Sequence, residues 1–294
     1  MNRADGPIGL FDSGVGGLTV VRAVRRRCSG LPVRYVADQA HVPYGDRPPE
    51  EIRQLALEIT QALLHSGCSA VIMACNISSA TALHDALCAY PGVPILGVIE
   101  PAVSVALSVA RGTAPSIGVL ATQGTVSTGM YPRTLGRLCP AARVTQVACP
   151  AFVPLIEQGT FDGPEVRRYC REYLAPIARA ECSAVILGCT HYPYLLPALE
   201  ETAAELCSEP PPFVDPADAV ARELLARLQP VEGSQPAAAQ MLTTGDPARF
   251  AEQLRVLLEW GDVRVGKALW RNGRLMLELS PVETPFAAPR YLRE

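Results

Sequence analysis

Cys68-Ser-Ala-Val-Ile-Met-Ala-Cys75 and Cys182-Ser-Ala-Val-Ile-Leu-Gly-Cys189 agree at six of eight positions, at an offset of 114 residues. Each is a short apolar run ending in a cysteine, with a small polar residue next: Asn76 in one case, Thr190 in the other. A run of this kind reads as a strand buried on both faces of a parallel sheet, with a thiol delivered at its C-terminal end. Ligands in open α/β sheets bind at those ends.

The echo continues on either side. Pro7-Ile8-Gly9-Leu10-Phe11 matches Ser116-Ile117-Gly118-Val119-Leu120 at an offset of 109 residues. The segment from Val33 to Pro43 matches that from Val144 to Pro154 at an offset of 111, with six of eleven positions identical. Three strand-like segments recurring in order predict two homologous α/β halves, roughly residues 6–97 and 113–207. Between strands, apolar residues return at helical spacing. Val15, Leu18, Val21 and Val24 do so across residues 13–27, Ile52, Leu55, Ile59 and Leu63 across 49–66, and Val166, Tyr169, Tyr173 and Ile177 across 165–180. Residues 210–212 read as a connection, 215–228 as a helix and 229–240 as a flexible surface loop. Arg271-Asn272-Gly273 marks the turn of a hairpin. The expected fold class is α/β: two pseudo-symmetric α/β domains with mainly parallel sheets and an active site in the cleft between them. Domain one takes residues 1–98 and 208–294, and domain two takes 99–207.

Composition narrows the chemistry. The 294 residues are 49% hydrophobic, too apolar for a disordered chain. With 26 basic and 29 acidic residues the net charge is −3, so no global field recruits nucleic acid or an anionic membrane. The longest apolar run, residues 95–110, is broken by Glu100 and Pro101 and does not read as a membrane span. No cleavable leader is expected, and the chain reads as a soluble, cytoplasmic protein. Its single lysine, Lys267, is followed by Ala268. That argues against pyridoxal-phosphate and other lysine Schiff-base chemistry and against a P-loop. None of the ten cysteines is spaced as Cys-x-x-Cys, so zinc ribbons and thioredoxin-like motifs find no support. Most read as small buried hydrophobes rather than disulfide partners.

Two halves facing each other with their strand ends bring Cys75 and Cys189 to one ligand from opposite sides. Inverting a carbon centre by proton transfer needs a base on one face and an acid on the other. Two thiols, one ionised and one protonated, serve in either direction. A free thiol titrates near ~8.5, and a helix N-terminus after each strand would lower that.

Five motifs then fall in order: Gly9-Leu-Phe-Asp12-Ser13-Gly-Val-Gly-Gly-Leu18, Ala37-Asp38 through Pro43-Tyr44-Gly45, Ala74-Cys75-Asn76, Gly188-Cys189-Thr190-His191-Tyr-Pro, and Thr244-Gly-Asp-Pro247. Over residues 6–256 the chain resembles the cofactor-independent glutamate racemases of the aspartate/glutamate racemase superfamily. The resemblance implies that Cys75 and Cys189 are the catalytic bases. It implies that Asp12, Ser13, Tyr44, Gly45, Asn76, Ile77, Thr190 and His191 hold the carboxylates and amine of glutamate. Asp12, Asp38, Glu157 and His191 match positions that tune the thiols. It also implies no cofactor and no metal, conversion of L- to D-glutamate for peptidoglycan synthesis, a homodimer, and a second domain inserted into the first, with the chain returning from Asp215. One position departs from the pattern. The family usually has Cys-Asn-Thr, whereas Ile77 and Ser78 follow Asn76 here. A lost hydrogen bond to a charged group costs about 1.5–3 kcal/mol unless Ser78 or Ser79 replaces it.

Plainer readings stand beside these. Asp12 and Ser13 are also helix-capping types. Tyr44 sits in a turn where it would simply pack, His191 would serve as a structural histidine, and Asp38 and Glu157 as ordinary carboxylates. Gly14-Val-Gly16-Gly17 falls short of a dinucleotide fingerprint because position 19 is Thr. Cys189 with His191 lacks the paired spacings of a zinc site. Arg22, Arg25, Arg26 and Arg27 read as a solvated helix end, and the sequon Asn76-Ile-Ser78 as coincidence. Alternative functions are a superfamily relative acting on aspartate, a hydantoin or maleate, and a catalytically silent, two-lobed amino-acid-binding protein.

Overall fold

The computed structural model describes residues 2–3, 6–27, 29–229, 237–258 and 263–279. In chain order the elements are β1 (Asn2–Arg3), β2 (Ile8–Asp12), α1 (Leu18–Arg27), β3 (Val33–Ala37), α2 (Pro49–His65), β4 (Ala70–Met73), α3 (Asn76–Ala89), β5 (Ile95–Gly97) and α4 (Ile99–Val109). There follow β6 (Ser116–Ala121), α5 (Gln123–Thr128), α6 (Met130–Leu138), β7 (Arg143–Ala148), α7 (Phe152–Glu157), α8 (Pro164–Arg179), β8 (Ala184–Gly188), α9 (Leu196–Leu206) and β9 (Phe213–Val214). The remainder is α10 (Ala217–Arg227), β10 (Leu228–Gln229), β11 (Ala239–Thr243), α11 (Pro247–Leu258), β12 (Val265–Arg271) and β13 (Arg274–Leu277).

Two sheets organise the chain. One has seven strands in the order β13-β12-β11-β3-β2-β4-β5, the other four in the order β7-β6-β8-β9, and β1 pairs with β10 apart from both. Every pairing is parallel except β12 with β13. The order β3-β2-β4-β5 in the first sheet is repeated as β7-β6-β8-β9 in the second. Even the registers coincide under the sequence offsets. Ile8 stands opposite Val33 and Ala70, and Ile117 opposite Val144 and Ala184. Val71 stands opposite Ile95, and Val185 opposite Phe213. The duplication is therefore a duplication of sheet geometry, and the expected α/β class with mainly parallel sheets holds.

Helices cover both faces of each sheet. On one face of the larger sheet, Leu18, Val21 and Val24 of α1, Leu224 of α10 and Phe250 of α11 are buried together. On the other, Ile59 and Leu63 of α2 meet Ala82 and Ala86 of α3. The smaller sheet is packed by α8 and α9 on one side and by α4 and α6 on the other. Each fully buried Leu, Ile or Val of these cores contributes roughly 1.5–3 kcal/mol relative to exposure. At the end of α1, Arg26 bonds Asp218 of α10 at 2.8 Å and Arg27 pairs with the same carboxylate, so this basic cluster is partly an inter-helix clamp.

Several details depart from the sequence expectation. Helix α1 begins at Leu18 rather than near residue 13, because Gly14, Gly16 and Gly17 are costly in a helix. The expected loop over 229–240 is shorter at both ends, since Gln229 belongs to β10 and Ala239 and Gln240 to β11; residues 230–236 lie outside the described residues. Phe213–Val214, assigned from sequence to the first domain, hydrogen-bonds to β8 of the four-stranded sheet. The hairpin forms as expected: Asn272 (φ 50°) and Gly273 (φ 75°) both take the left-handed conformation that a tight two-residue turn requires. Among the described residues no helix is long and apolar enough to cross a membrane.

Candidate active site

The C-terminal strand ends of the two sheets enclose a cavity of about 230 Å³. Ser13 reaches it after β2, Tyr44 and Gly45 from the turn beyond β3, and Cys75, Asn76 and Ile77 after β4. From the opposite sheet come Thr122 after β6, Cys149 after β7, Glu157 from the end of α7, and Cys189, Thr190 and His191 after β8. The repeat pairs these walls: Ser13 maps onto Thr122, Asp46 onto Glu157 and Cys75 onto Cys189. Among the described residues no lysine or arginine lines the cavity.

The two thiols have different surroundings. Cys75 precedes the first turn of α3, as the strand–helix pattern predicts. Burial and the Asp12 charge push its thiol up to about 12, while the Ser78 amide and hydroxyl act in the opposite direction. After Cys189 the expected helix N-terminus is not there. Tyr192–Leu195 form a single 3-10 turn containing Pro193, and α9 starts only at Leu196. Its place is taken by a cation. His191 Nδ1 lies 3.8 Å from Cys189 Sγ, and Nε2 lies 2.9 Å from Glu157 Oε1. Burial disfavours the imidazolium, yet Cys189 and Glu157 raise His191 to about 10. Burial likewise opposes the charge on Glu157, but His191 and Gln253 hold that carboxyl below its ordinary range.

Asp12 and Asp38, expected at the site, are fully buried and do not line the cavity. Asp12 Oδ1 accepts from the Gly14 amide and Oδ2 from the Thr190 hydroxyl, each at 2.9 Å, so it ties the two halves together. It does not cap α1, which begins further on. Asp38 accepts from Tyr44 Oη at 2.6 Å, Thr244 Oγ1 at 2.8 Å and Trp270 Nε1 at 2.8 Å, and faces His41 Nδ1 at 2.9 Å. Burial opposes its ionisation, but the bonds from His41, Tyr44 and Trp270 hold it below the usual carboxylate range.

Asn76 carries an unspent donor. Tyr131 Oη bonds its Oδ1 at 2.7 Å, while its buried Nδ2 has no hydrogen-bond partner among the described residues. Ile77 packs where the halves meet, and a Cβ on Gly124 would stand 2.6 Å from its Cδ1. Neither serine after it replaces the missing hydroxyl on the cavity wall. Ser78 is fully buried away from the cavity, and Ser79 Oγ is bonded to Met73 O and the Val98 amide. Thr122 and Thr125, from α5 and its cap, do line it, with the Thr122 hydroxyl donating to Thr125 Oγ1 at 3.0 Å.

The glycine-rich turn after β2 serves close approach between the halves. A Cβ on Gly16 would lie 2.3 Å from Thr190 Oγ1 and 2.6 Å from His191 Nδ1, and one on Gly14 would lie 3.0 Å from Glu157 Oε1. Sequence reasoning did not single out Thr122, Thr125, Cys149, Tyr131, Gln253 or Trp270. The repeat carried a signal for two of them, since it maps Ser13 onto Thr122 and Asp38 onto Cys149. For Tyr131, Gln253 and Trp270 it carried none.

Known proteins share this chain's sequence pattern and fold. The family model described as Asp/Glu/Hydantoin racemase matches residues 8–224. A glutamate racemase of Gloeobacter violaceus is 44% identical over 248 residues, covering 83% of this chain and 89% of that protein. The crystal structure of a glutamate racemase isoform from Bacillus anthracis superposes with a TM-score of 0.83 at 28% identity, covering 92% of this chain and 100% of that one. A glutamate racemase from Francisella tularensis, solved in complex with D-glutamate, gives 0.81 at 26% identity over 91% and 98% of the two chains.

Proposed function

This chain belongs to the Asp/Glu/hydantoin racemase family and is an isomerase of the glutamate racemase kind; from that premise we propose that it interconverts L- and D-glutamate by two-base proton transfer at Cα. One observation carries the reading: Cys75 and Cys189 end equivalent strands of the duplicated sheets and line one cavity from opposite walls.

With its thiol pushed up to about 12, Cys75 rests protonated at neutral pH. Cys189 has the His191 ring against it, with Nδ1 3.8 Å from the sulfur. In one direction Cys189, acting as a thiolate, takes the Cα proton of one enantiomer and becomes a thiol. The electron pair left on Cα is then protonated on its other face by Cys75, which becomes the thiolate. The opposite enantiomer runs the same steps in reverse.

Among the described residues, those that would hold glutamate include no lysine or arginine. The Asn76 Nδ2, the hydroxyls of Ser13 and Thr125, and the N-terminus of α3 supply donors for its carboxylates. Ile77 contributes its backbone amide, Gly45 allows close approach at the mouth, and Tyr44 is fixed by Asp38. The D-glutamate formed supplies peptidoglycan synthesis in the cytoplasm, a role that rests on the resemblance to glutamate racemases.

The test uses the purified chain, no added cofactor and L-glutamate in D₂O, followed by proton NMR and chiral analysis. Loss of the Cα proton signal together with the appearance of D-glutamate is the expected result. Unchanged L-glutamate under these conditions overturns the proposal, and turnover of aspartate in its place reassigns the substrate.

A further inference from the structure

Glu157 receives a file of hydrogen bonds that starts in the other half of the molecule. The Gly245 amide donates to Thr243 Oγ1 at 3.0 Å, and the Thr243 hydroxyl donates to Gln39 Oε1 at 2.7 Å. Gln39 Nε2 donates to Gln253 Oε1 at 2.8 Å, and Gln253 Nε2 donates to Glu157 Oε2 at 3.3 Å. All four links run in one direction. The backbone N–H at the start can only donate and the carboxylate at the end accepts, and it is the carboxylate that orients both amides. Each amide whose oxygen is taken must present its NH₂ to the next residue. At the far end the acid can only accept, and its Oε1 faces His191 Nε2 at 2.9 Å, leaving Nδ1 toward Cys189.

We propose that Gln253, with Gln39 and Thr243 behind it, is a positioning residue that keeps Glu157 an acceptor and thereby holds His191 as the proton-bearing partner of Cys189. The functional consequence rests on the racemase reading above; the geometry does not. Gln253 lies on α11 and Glu157 on α7, so the relay also spans the two halves, and none of Thr243, Gln39 and Gln253 lines the cavity. Other groups bear on the same pair. Cys189 and Asp12 act on His191, Arg249 acts on Glu157, and the phenols of Tyr35 and Tyr194 lie within its electrostatic reach.

Gln253→Met keeps the length of the side chain and removes both hydrogen bonds, at a half-buried position. Gln39→Met breaks the link one step earlier and stands in should the first variant fold poorly. The expected result is a fall in kcat of about tenfold with KM for glutamate within about twofold, since the lost bond goes to a charged group away from substrate. The second readout needs no turnover. In ¹⁵N NMR of the histidine ring, the alkaline midpoint of His191, about 10 in the parent chain, moves to lower pH in the variant. A midpoint and a kcat both equal to the parent's overturn the proposal. A parent chain that does not racemise glutamate overturns the functional reading instead, and the His191 titration then still decides whether the relay exists.

Discussion

Cys75 sits at the head of α3 beside the buried Asp12 charge, whereas Cys189 has the His191–Glu157 pair against it. In the proposed reaction each sulfur is acid in one direction and base in the other, so neither is dispensable. Replacing either with serine is expected to lower racemisation by about 10²–10⁴-fold, the usual worth of a positioned acid or base. Circular dichroism of glutamate at equal enzyme concentration measures this, and a single variant at the parent rate would sink the two-base scheme. The His191 cation also leaves a mark on stability. A group whose folded pKa stands at about 10 against an ordinary 6.5 contributes stability that is complete below 6.5 and lost as pH rises through about 10. Urea unfolding across that window should show the decline in the parent chain, and His191→Gln should flatten it.

At the scale of elements, the turn between β2 and α1 matters most. It is glycine-rich because the Thr190–His191 segment of the other half fills the space that side chains would take. Gly16→Ala places a methyl group 2.3 Å from Thr190 Oγ1. Overpacking of this kind costs about 1–3 kcal/mol, and here it should also disturb the Asp12–Thr190 bond and lower kcat. Denaturant midpoint and activity, measured together, check both effects. Strands β4 and β8 were legible in the sequence because both of their faces are buried, leaving little besides Val, Ile, Leu, Ala and Gly to fill them. Residues adjoining the thiols, Asn76, Thr190 and His191, came with those strands. Trp270, Gln253 and Tyr131 did not, because they reach the site by side chain alone, from 232, 96 and 55 residues away from their partners. No local period or motif records such a contact. The 3-10 turn after Cys189 carries a local mark, Pro193, which the reading by analogy with the first repeat passed over.

Seen whole, the two halves share one sheet design, and the first is extended by β11, β12 and β13. That extension reaches the site, since Trp270 of β12 bonds Asp38, which fixes Tyr44 on the cavity wall. Trp270→Phe keeps an aromatic ring near His41 and removes the indole donor. Loss of a hydrogen bond to a buried carboxylate should cost about 1.5–3 kcal/mol of stability, read by thermal or urea unfolding. The same duplication gives the molecule two thiols at matching strand ends with unmatched neighbours. For a racemase this has a thermodynamic consequence. Mirror-image amino acids have equal free energy in water, so their equilibrium constant is unity and kcat/KM must be identical from either side. The lopsided surroundings of Cys75 and Cys189 therefore cannot bias net flux. What they can do is make one enantiomer bind more tightly and turn over more slowly in strict proportion, so progress curves begun from L- and D-glutamate will differ in shape and converge on the same racemic mixture.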